Sequence, residues 1–280
     1  MLYRKVFLKA ISYIDLYKHI ERIQESYIEK YLISIIIPVY NEEKTIFSVL
    51  KALPESDKIE IIVIDDHSKD NSVLEIKKAQ KMHNIKLCKH KKNQGYGKAI
   101  LSGIKKSNGS IIITMDADGQ HLPDDIYTLV KPIFDGDADY TIGSRYLGRF
   151  HYELPLSTRL GEVLVEILLR IFFQQKAKSN QGGFRAFSRD ILHIFEDIQY
   201  RDFAFTTELI IRAALYGYQI KECPIKLMDR VHGKSRIKLN KLAINLFICF
   251  FRYFFLRIKM RMLKQDKIKF KKERLVFKEL

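Results

Sequence analysis

The sequence predicts an α/β protein built on a mostly parallel central sheet, with amphipathic helices attached outside it. Three observations predict this. From Ile33 onward, short β-branched runs alternate with helix-length amphipathic segments, the pattern of a parallel sheet covered on both faces. Several of those runs end in acid-bearing turns, and open α/β sheets bind ligands at the carboxyl ends of their strands. Outside the repeat, segments 1–32, 157–173 and 241–280 mix apolar faces with charged stripes at helical spacing.

Ile33 to Val39 reads as a first buried strand, and Asn41-Glu42-Glu43 opens a helix through Leu53. Ile59 to Ile64 is the second strand, ending in Asp65-Asp66, and Ser68 to Asn71 leads into a helix to about His83. Ile85 to Lys89 is a shorter third strand, and Gly95 to Ser107 is helical. The fourth strand, Ile111 to Thr114, delivers Asp116 and Asp118 to its end. Side chains alternate along an extended chain, so both carboxylates can point one way with Ala117 turned back into the fold. Pro123 starts the next helix, where its fixed φ and missing donor fit, and Tyr140 to Gly143 is a fifth strand.

Within 1–32, Phe7, Ala10, Ile14, Tyr17, Ile20 and Ile23 can share a helical face that either packs on the domain or lies on a membrane. In 157–173, Arg159, Glu162, Glu166 and Arg170 form one charged stripe on an otherwise apolar helix. Further on, Lys241, Asn245, Arg252 and Lys259 form a narrow polar stripe beside Phe247, Phe251 and Phe255. A helix from Leu242 to Leu256 would be about 22 Å long, short of a hydrocarbon core of about 30 Å. An in-plane interfacial helix is therefore expected rather than a span, with burial in the protein or an oligomer as the alternative. The basic tail that follows carries Lys264, Lys267, Lys269, Lys271, Lys272 and Arg274, each able to contribute about 1 kcal/mol near an anionic leaflet. The expected organisation is an amphipathic segment 1–32, an α/β domain 33–240 that includes the 157–173 helix, and an interfacial helix with a basic tail, 241–280.

The net charge of +16 calls for polyanionic company: nucleic acid, an anionic membrane surface or phosphorylated substrates. No recognisable module interleaves aromatics with Lys and Arg, which argues against nucleic acid. Cys88, Cys223 and Cys249 are scattered, so neither a disulfide framework nor a zinc site is indicated. No signal-peptide pattern opens the sequence, and reduced thiols fit the cytosolic side.

Two anionic oxygen donors, Asp116 and Asp118, suit a hard divalent cation, and Mg²⁺ commonly takes one or two carboxylates plus substrate phosphates. The competing reading is a loop pair that caps the next helix. Asn93-Gln94-Gly95-Tyr96-Gly97-Lys98-Ala99 is a Gly-rich turn that lets backbone approach a ligand and offers free N–H groups. No Gly-x-Gly-x-x-Gly follows the first strand and no phosphate-binding loop appears, against dinucleotide oxidoreductases and phosphate-loop NTPases.

The ordered set formed by Pro38-Val39-Tyr40-Asn41-Glu42, Asp65-Asp66-His67-Ser68, Asp116-Ala117-Asp118-Gly119-Gln120, Gly143-Ser144-Arg145-Tyr146, Gly183-Phe184-Arg185, Thr207-Glu208-Leu209 and Asp229 to Arg236 resembles the family 2 glycosyltransferases of GT-A fold, most closely their dolichol-phosphate mannosyltransferase branch. The resemblance covers about Leu32 to Leu239. It implies that Pro38, Tyr40, Glu42, Ile64 and Asp66 hold the base and ribose of a nucleotide sugar. It implies that Asp116, Ala117, Asp118 and Gln120 line the diphosphate, that Asp116, Asp118 and Gln120 hold Mg²⁺ or Mn²⁺, and that Arg145, Arg230 and Arg236 grip phosphates. Glu208 stands where relatives with hydroxyl acceptors keep a catalytic base, and here it is either an acceptor-side or a structural carboxylate. The implied reaction is inverting transfer of a hexose, mannose from GDP-mannose first, onto a polyprenyl phosphate at the cytoplasmic face of a membrane, by a peripheral protein. A UDP-sugar donor or a glycan acceptor is the alternative; a basic nucleic-acid-binding protein or a non-catalytic membrane protein are those of a different class. Two departures stand out: Ser179-Asn180-Gln181-Gly182-Gly183 replaces the family's acidic residue before Ser-Gly-Phe-Arg, and Arg236 replaces a common Lys.

Overall fold

The structure, a computed structural model, describes residues 31–150, 156–202, 204–229 and 239–262. The amphipathic face expected within 1–32 and the basic tail lie outside the described residues, as do Arg230 and Arg236. Seven strands run as β1 (Ile33–Val39), β2 (Ile59–Asp65), β3 (Ile85–Lys89), β4 (Ile111–Thr114), β5 (Tyr140–Phe150), β6 (Arg185–Ser188) and β7 (Ile220–Leu227). Between and after them come helices α1 (Ile46–Lys51), α2 (Ser72–Ala79), α3 (Tyr96–Ile104), α4 (Ile126–Phe134), α5 (Leu156–Phe173), α6 (Ala204–Tyr216) and α7 (Leu239–Met262).

The strands form one sheet in the order β3-β2-β1-β4-β6-β5-β7. β1 to β4 are parallel, as the alternation requires; β1, β2 and β4 are buried on both faces, while β3, at the edge of the sheet, is only partly buried. Ile36, Ile62 and Ile64 pack beneath α3, while Ile35, Ile37 and Val63 belong to the core on the opposite face. Each such burial stabilises the fold by about 1.5–3 kcal/mol relative to exposure. The sequence reading ended β5 at Gly143; it continues to Phe150 alongside β7 because Gly148 lets the Ile225 backbone approach.

β6 is the antiparallel member, paired with β4 through Thr114 and Arg185 and with β5 through Ile142 and Arg185. Entering from the opposite end, it carries Gly183 and Phe184 over the carboxyl end of β4. Arg185 fixes that entry: it is buried, and its guanidinium donates to the carbonyls of Gly182, Asn180 and Thr206 and to the Tyr140 hydroxyl. The Ser179 to Gly183 departure is thus a loop wound around one buried arginine.

α5 and α7 touch through edge-to-face contact of Phe172 with Phe254 and through Phe173 against Phe250. Their inner faces enter the core through Val165, Leu169 and Phe173 on α5 and Cys249, Phe250 and Tyr253 on α7. α7 is longer than the segment read from the sequence, extending from Leu239 to Met262. Even so, among the described residues no helix is long and apolar enough to cross a membrane. The charged stripe expected on α5 does not lie wholly in solvent, since Glu162 is buried. What faces outward instead is apolar: Leu160, Leu164, Ile167 and Ile171 on α5, and Ile244, Phe247, Phe251 and Phe255 on α7.

Candidate active site

The turns after β1 and β2 are laced together by side chains that cap backbone donors. Asn41, at φ +55°, accepts from the Lys69 amide at 2.7 Å, while the Asn41 and Glu42 amides donate to Ser68 and Ser72 at 3.0 and 2.7 Å. Pro38, Tyr40 and Glu42 are consequently half-buried on one rim of the strand ends. Ile64 is fully buried in the core beneath α3, so its side chain cannot line the rim.

Asp66 is also buried, and both its oxygens are occupied. It accepts the amides of Gln94 and Gly95 at 2.8 Å each and pairs with His90 Nδ1 at 2.6 Å, whose Nε2 meets Ser102 at 2.9 Å. Its local work is to hold the Gly-rich turn ahead of α3. Gly95 sits at φ +91°, and a Cβ there would meet the Arg201 carbonyl at 2.8 Å, so only glycine fits.

Asp116 and Asp118 stand at the carboxyl end of β4, and Ala117 is buried between them as the alternation requires. The Asp116 carboxylate is 30% exposed and is bordered by three groups from elsewhere. His121 Nε2 lies 3.4 Å from it, the Tyr96 hydroxyl hydrogen-bonds it, and Gly183 backs it so closely that an added Cβ would come within 2.3 Å of Oδ1. Burial, and then the Asp116 charge, holds the Tyr96 phenol well above the ordinary tyrosine range, so it is a hydrogen-bond donor at neutral pH. Burial pushes His121 down to about 4, leaving a neutral imidazole beside the carboxylates, edge-on to Phe184.

Asp118 Oδ1 accepts the Gln120 amide at 3.1 Å. Gln120 is stapled to the end of β7: its side-chain amide donates to the Met228 carbonyl at 3.0 Å, and the Met228 amide donates back to the Gln120 carbonyl at 3.0 Å. Two carboxylates and an amide oxygen form a hard donor set. The Gly183 cradle leaves Asp116 room on its open side, so the residues fit a divalent cation. Among the described residues no cluster of three or more His, Cys, Asp and Glu side chains forms such a site.

On the other flank Arg145 bonds the buried Glu162, whose second oxygen takes the Tyr146 hydroxyl. Arg145 Nε and the Ser144 hydroxyl are buried with no hydrogen-bond partner among the described residues, and so is His121 Nδ1. Buried polar atoms are ordinarily satisfied, and these three flank the aspartates from β5 and the β4 turn. Glu208, by contrast, is fully buried and committed: it accepts from the Gln199 and Tyr200 amides and, at 2.6 Å, from the Tyr253 hydroxyl of α7.

A family model described as glycosyl transferase family 2 matches residues 34–195, more than half of the chain. The chain belongs to glycosyl transferase family 2. A UDP-N-acetylglucosamine–dolichyl-phosphate N-acetylglucosaminyltransferase of Methanococcus voltae is 31% identical over 223 residues, 73% of this chain and 89% of that protein. An uncharacterized protein of Methanocaldococcus jannaschii is 34% identical over 214 residues, 75% of this chain and 86% of its own length. Among solved structures, glucosyl-3-phosphoglycerate synthase from Mycobacterium tuberculosis, in complex with Mn²⁺ and UDP, superposes with a TM-score of 0.65 at 19% identity, over 82% of each chain. This likeness establishes the GT-A fold. The same enzyme has also been crystallised with Mg²⁺ and UDP.

For a family 2 glycosyltransferase, the described residues singled out in the sequence gather at the strand-end edge of the sheet, Ile64 and Glu208 excepted, while Arg230 and Arg236 lie outside the described residues. Tyr96, His121 and Glu162 were missed as site residues. Tyr96 lies inside the Gly-rich turn, and the acid-bearing turn runs into His121, so both had a sequence signal of position. Glu162 had none, because a lone acid on an apolar helix gives no sign of its partner.

Proposed function

We propose that this family 2 glycosyltransferase transfers a hexose or N-acetylhexosamine from a nucleotide sugar to a polyprenyl phosphate, with inversion, at the cytoplasmic face of a membrane. The observation that carries the donor side is the pair Asp116 and Asp118 at the end of β4, with the Asp116 carboxylate seated against Gly183 and joined by Tyr96. GDP-mannose was the first donor read from the sequence. The similarity to a UDP-N-acetylglucosamine-dependent enzyme instead favours the UDP-sugar alternative.

The acceptor reading rests on chemistry that needs no general base. A phosphate monoester has a second pKa of about 6, so its oxygen is already mostly ionised at neutral pH. That suits a site in which Glu208 is fully occupied with backbone amides and Tyr253. The acceptor oxygen attacks the anomeric carbon, the bond from that carbon to the diphosphate oxygen breaks, and the nucleoside diphosphate leaves with the electron pair. Asp116, Asp118 and Gln120 would hold Mg²⁺ or Mn²⁺, which neutralises charge on the departing diphosphate. Tyr96 and His121 hold the Asp116 carboxylate in place, and Arg145 offers guanidinium N–H groups to phosphate oxygens. Arg230 and Arg236 are proposed to add two further cations.

The outward apolar stripes of α5 and α7 give a lipid-bound acceptor a surface to arrive on, with the protein peripheral to the bilayer. The test is incubation with labelled UDP-N-acetylglucosamine, UDP-glucose or GDP-mannose, a polyprenyl phosphate and Mg²⁺ or Mn²⁺. Label should pass into organic solvent with one of these donors; none passing with any of them would end the proposal.

A further inference from the structure

The apolar outer face of α7 has a polar counterpart on its inner face. Asn245 Nδ2 donates to Asp202 at 2.6 Å, and the Tyr253 hydroxyl donates to Glu208 at 2.6 Å. Both acceptors govern the loop that leads into α6. Glu208 grips that loop by the amides of Gln199 and Tyr200, at 3.0 Å each, and Asp202 also accepts the Ala204 amide at 3.0 Å. Between those anchor points, the Arg201 carbonyl accepts the Gly97 amide at 2.9 Å and fills the space against Gly95. Gly97 in turn packs against Phe205 at the start of α6, so closely that an added Cβ would meet the ring at 2.8 Å. Tyr96, the residue between these two glycines, carries the hydroxyl that bonds Asp116.

A continuous path therefore runs from α7 through the Gln199–Asp202 loop to the Gly-rich turn and on to Asp116. Its links are hydrogen bonds, those from α7 and from the Gly-rich turn joining the loop to elements more than 40 residues away in sequence. Asp66 and His90 clamp the turn from one side, and Arg201 is what meets it from the other.

We infer that Asn245 and Tyr253 are positioning residues for the donor site: by docking α7 against Asp202 and Glu208 they set the loop that places Tyr96, and through it Asp116. The inference rests on the proposed nucleotide-sugar site. It makes the helix whose outer face is apolar a part of the donor-binding apparatus rather than an anchor alone. Seating of α7 is then felt at Asp116 without either residue touching substrate.

The test measures binding of UDP and of GDP, each with Mn²⁺, to the full-length protein by isothermal titration calorimetry in the absence of lipid and acceptor. Asn245→Ala removes the bond to Asp202, and Tyr253→Phe removes the bond to Glu208 together with the longer one donated by Arg212 at 3.3 Å; each variant should weaken nucleotide binding about threefold to tenfold, the range that one net hydrogen bond corresponds to. Phe251→Ser, on the exposed face of the same helix, should leave that affinity within about twofold. In transfer assays the two inner-face variants should raise the donor KM more than the acceptor KM, a split that general loss of stability would not produce. Thermal melting separates the folded fraction, and if Tyr253→Phe does not fold, Asn245→Ala carries the test alone. Unchanged nucleotide affinity in folded inner-face variants overturns the inference while leaving the proposed function intact. Failure of the unaltered protein to bind either nucleotide overturns both.

Discussion

The Arg145 guanidinium, midway along β5, is tied to the buried Glu162 carboxylate of α5, which also receives the Tyr146 hydroxyl. A helix with an apolar outer face thereby holds the arginine expected to meet phosphate. Glu162→Ala would leave a mostly buried guanidinium and a phenol without their acceptor, costing about 1–3 kcal/mol of stability. Glu162→Gln, which keeps an acceptor oxygen, should cost less. Urea unfolding of the three proteins checks this, and equal midpoints for the alanine variant and the parent would contradict it.

Gly183→Ala introduces a methyl where Asp116 Oδ1 would be 2.3 Å away. The carboxylate must move, and displacing a group that orients a metal ligand typically costs 10–100-fold in metal affinity or activity, so a loss of about that size is expected. Calorimetric titration of Mn²⁺ in the presence of nucleoside diphosphate reads it directly. Gly182→Ala is the control, because the nearest atom to its added Cβ is the Ser179 hydroxyl at 3.2 Å.

Glu60 supplies an acid-labile contribution far from the site. Burial raises its pKa, but the Asn108 amide, Lys86 and Ser34 outweigh that and bring it from 4.5 down to about 2. A carboxylate held low in the folded state stabilises the fold above its unfolded pKa, and that contribution is lost as pH falls through the folded value. Stability should therefore drop between pH 4.5 and about 2, and Glu60→Gln should flatten that part of the curve. Denaturant midpoints across this interval decide it; identical slopes for variant and parent would refute the assignment.

Leu164 and Phe251, 58% and 49% exposed on the outer stripes, are the residues to alter for membrane contact. Replacing both by Ser should change folding stability by no more than about 0.5 kcal/mol per site, as is usual for exposed positions. Flotation of the protein with vesicles containing anionic lipid should fall severalfold. Undiminished flotation would assign membrane contact to residues outside the two stripes.

Much of the fold was legible because its signals are local. The β-branched runs and the acid-bearing turns at 65–66 and 116–118 are written in consecutive residues, and they mark β1 to β4 and the edge where the site forms. The antiparallel β6 was not legible, since the motif holding Arg185 does not reveal that its guanidinium is buried against the carbonyls of Asn180, Gly182 and Thr206. The same holds for Glu208. Its place in a motif suggested chemistry, whereas its carboxylate is spent on Gln199, Tyr200 and a tyrosine on α7 that no spacing rule connects to it. The stripe on α5 misled for a related reason: periodicity groups Glu162 with Arg159 and Glu166 but cannot say which of them meets Arg145.

The central claim is that Asp116 and Asp118 form a divalent-metal and diphosphate seat serving transfer to a lipid phosphate. It is tested most directly by organic-extractable label from nucleotide sugar, polyprenyl phosphate and Mn²⁺, comparing the parent protein with Asp118→Ala of equal thermal stability. The account predicts metal-dependent, chelator-sensitive transfer by the parent and loss of at least about 100-fold in the variant, the scale at which a main charge-stabilising group acts. Transfer by Asp118→Ala at the parent rate, or transfer by the parent undiminished in chelator, would contradict it.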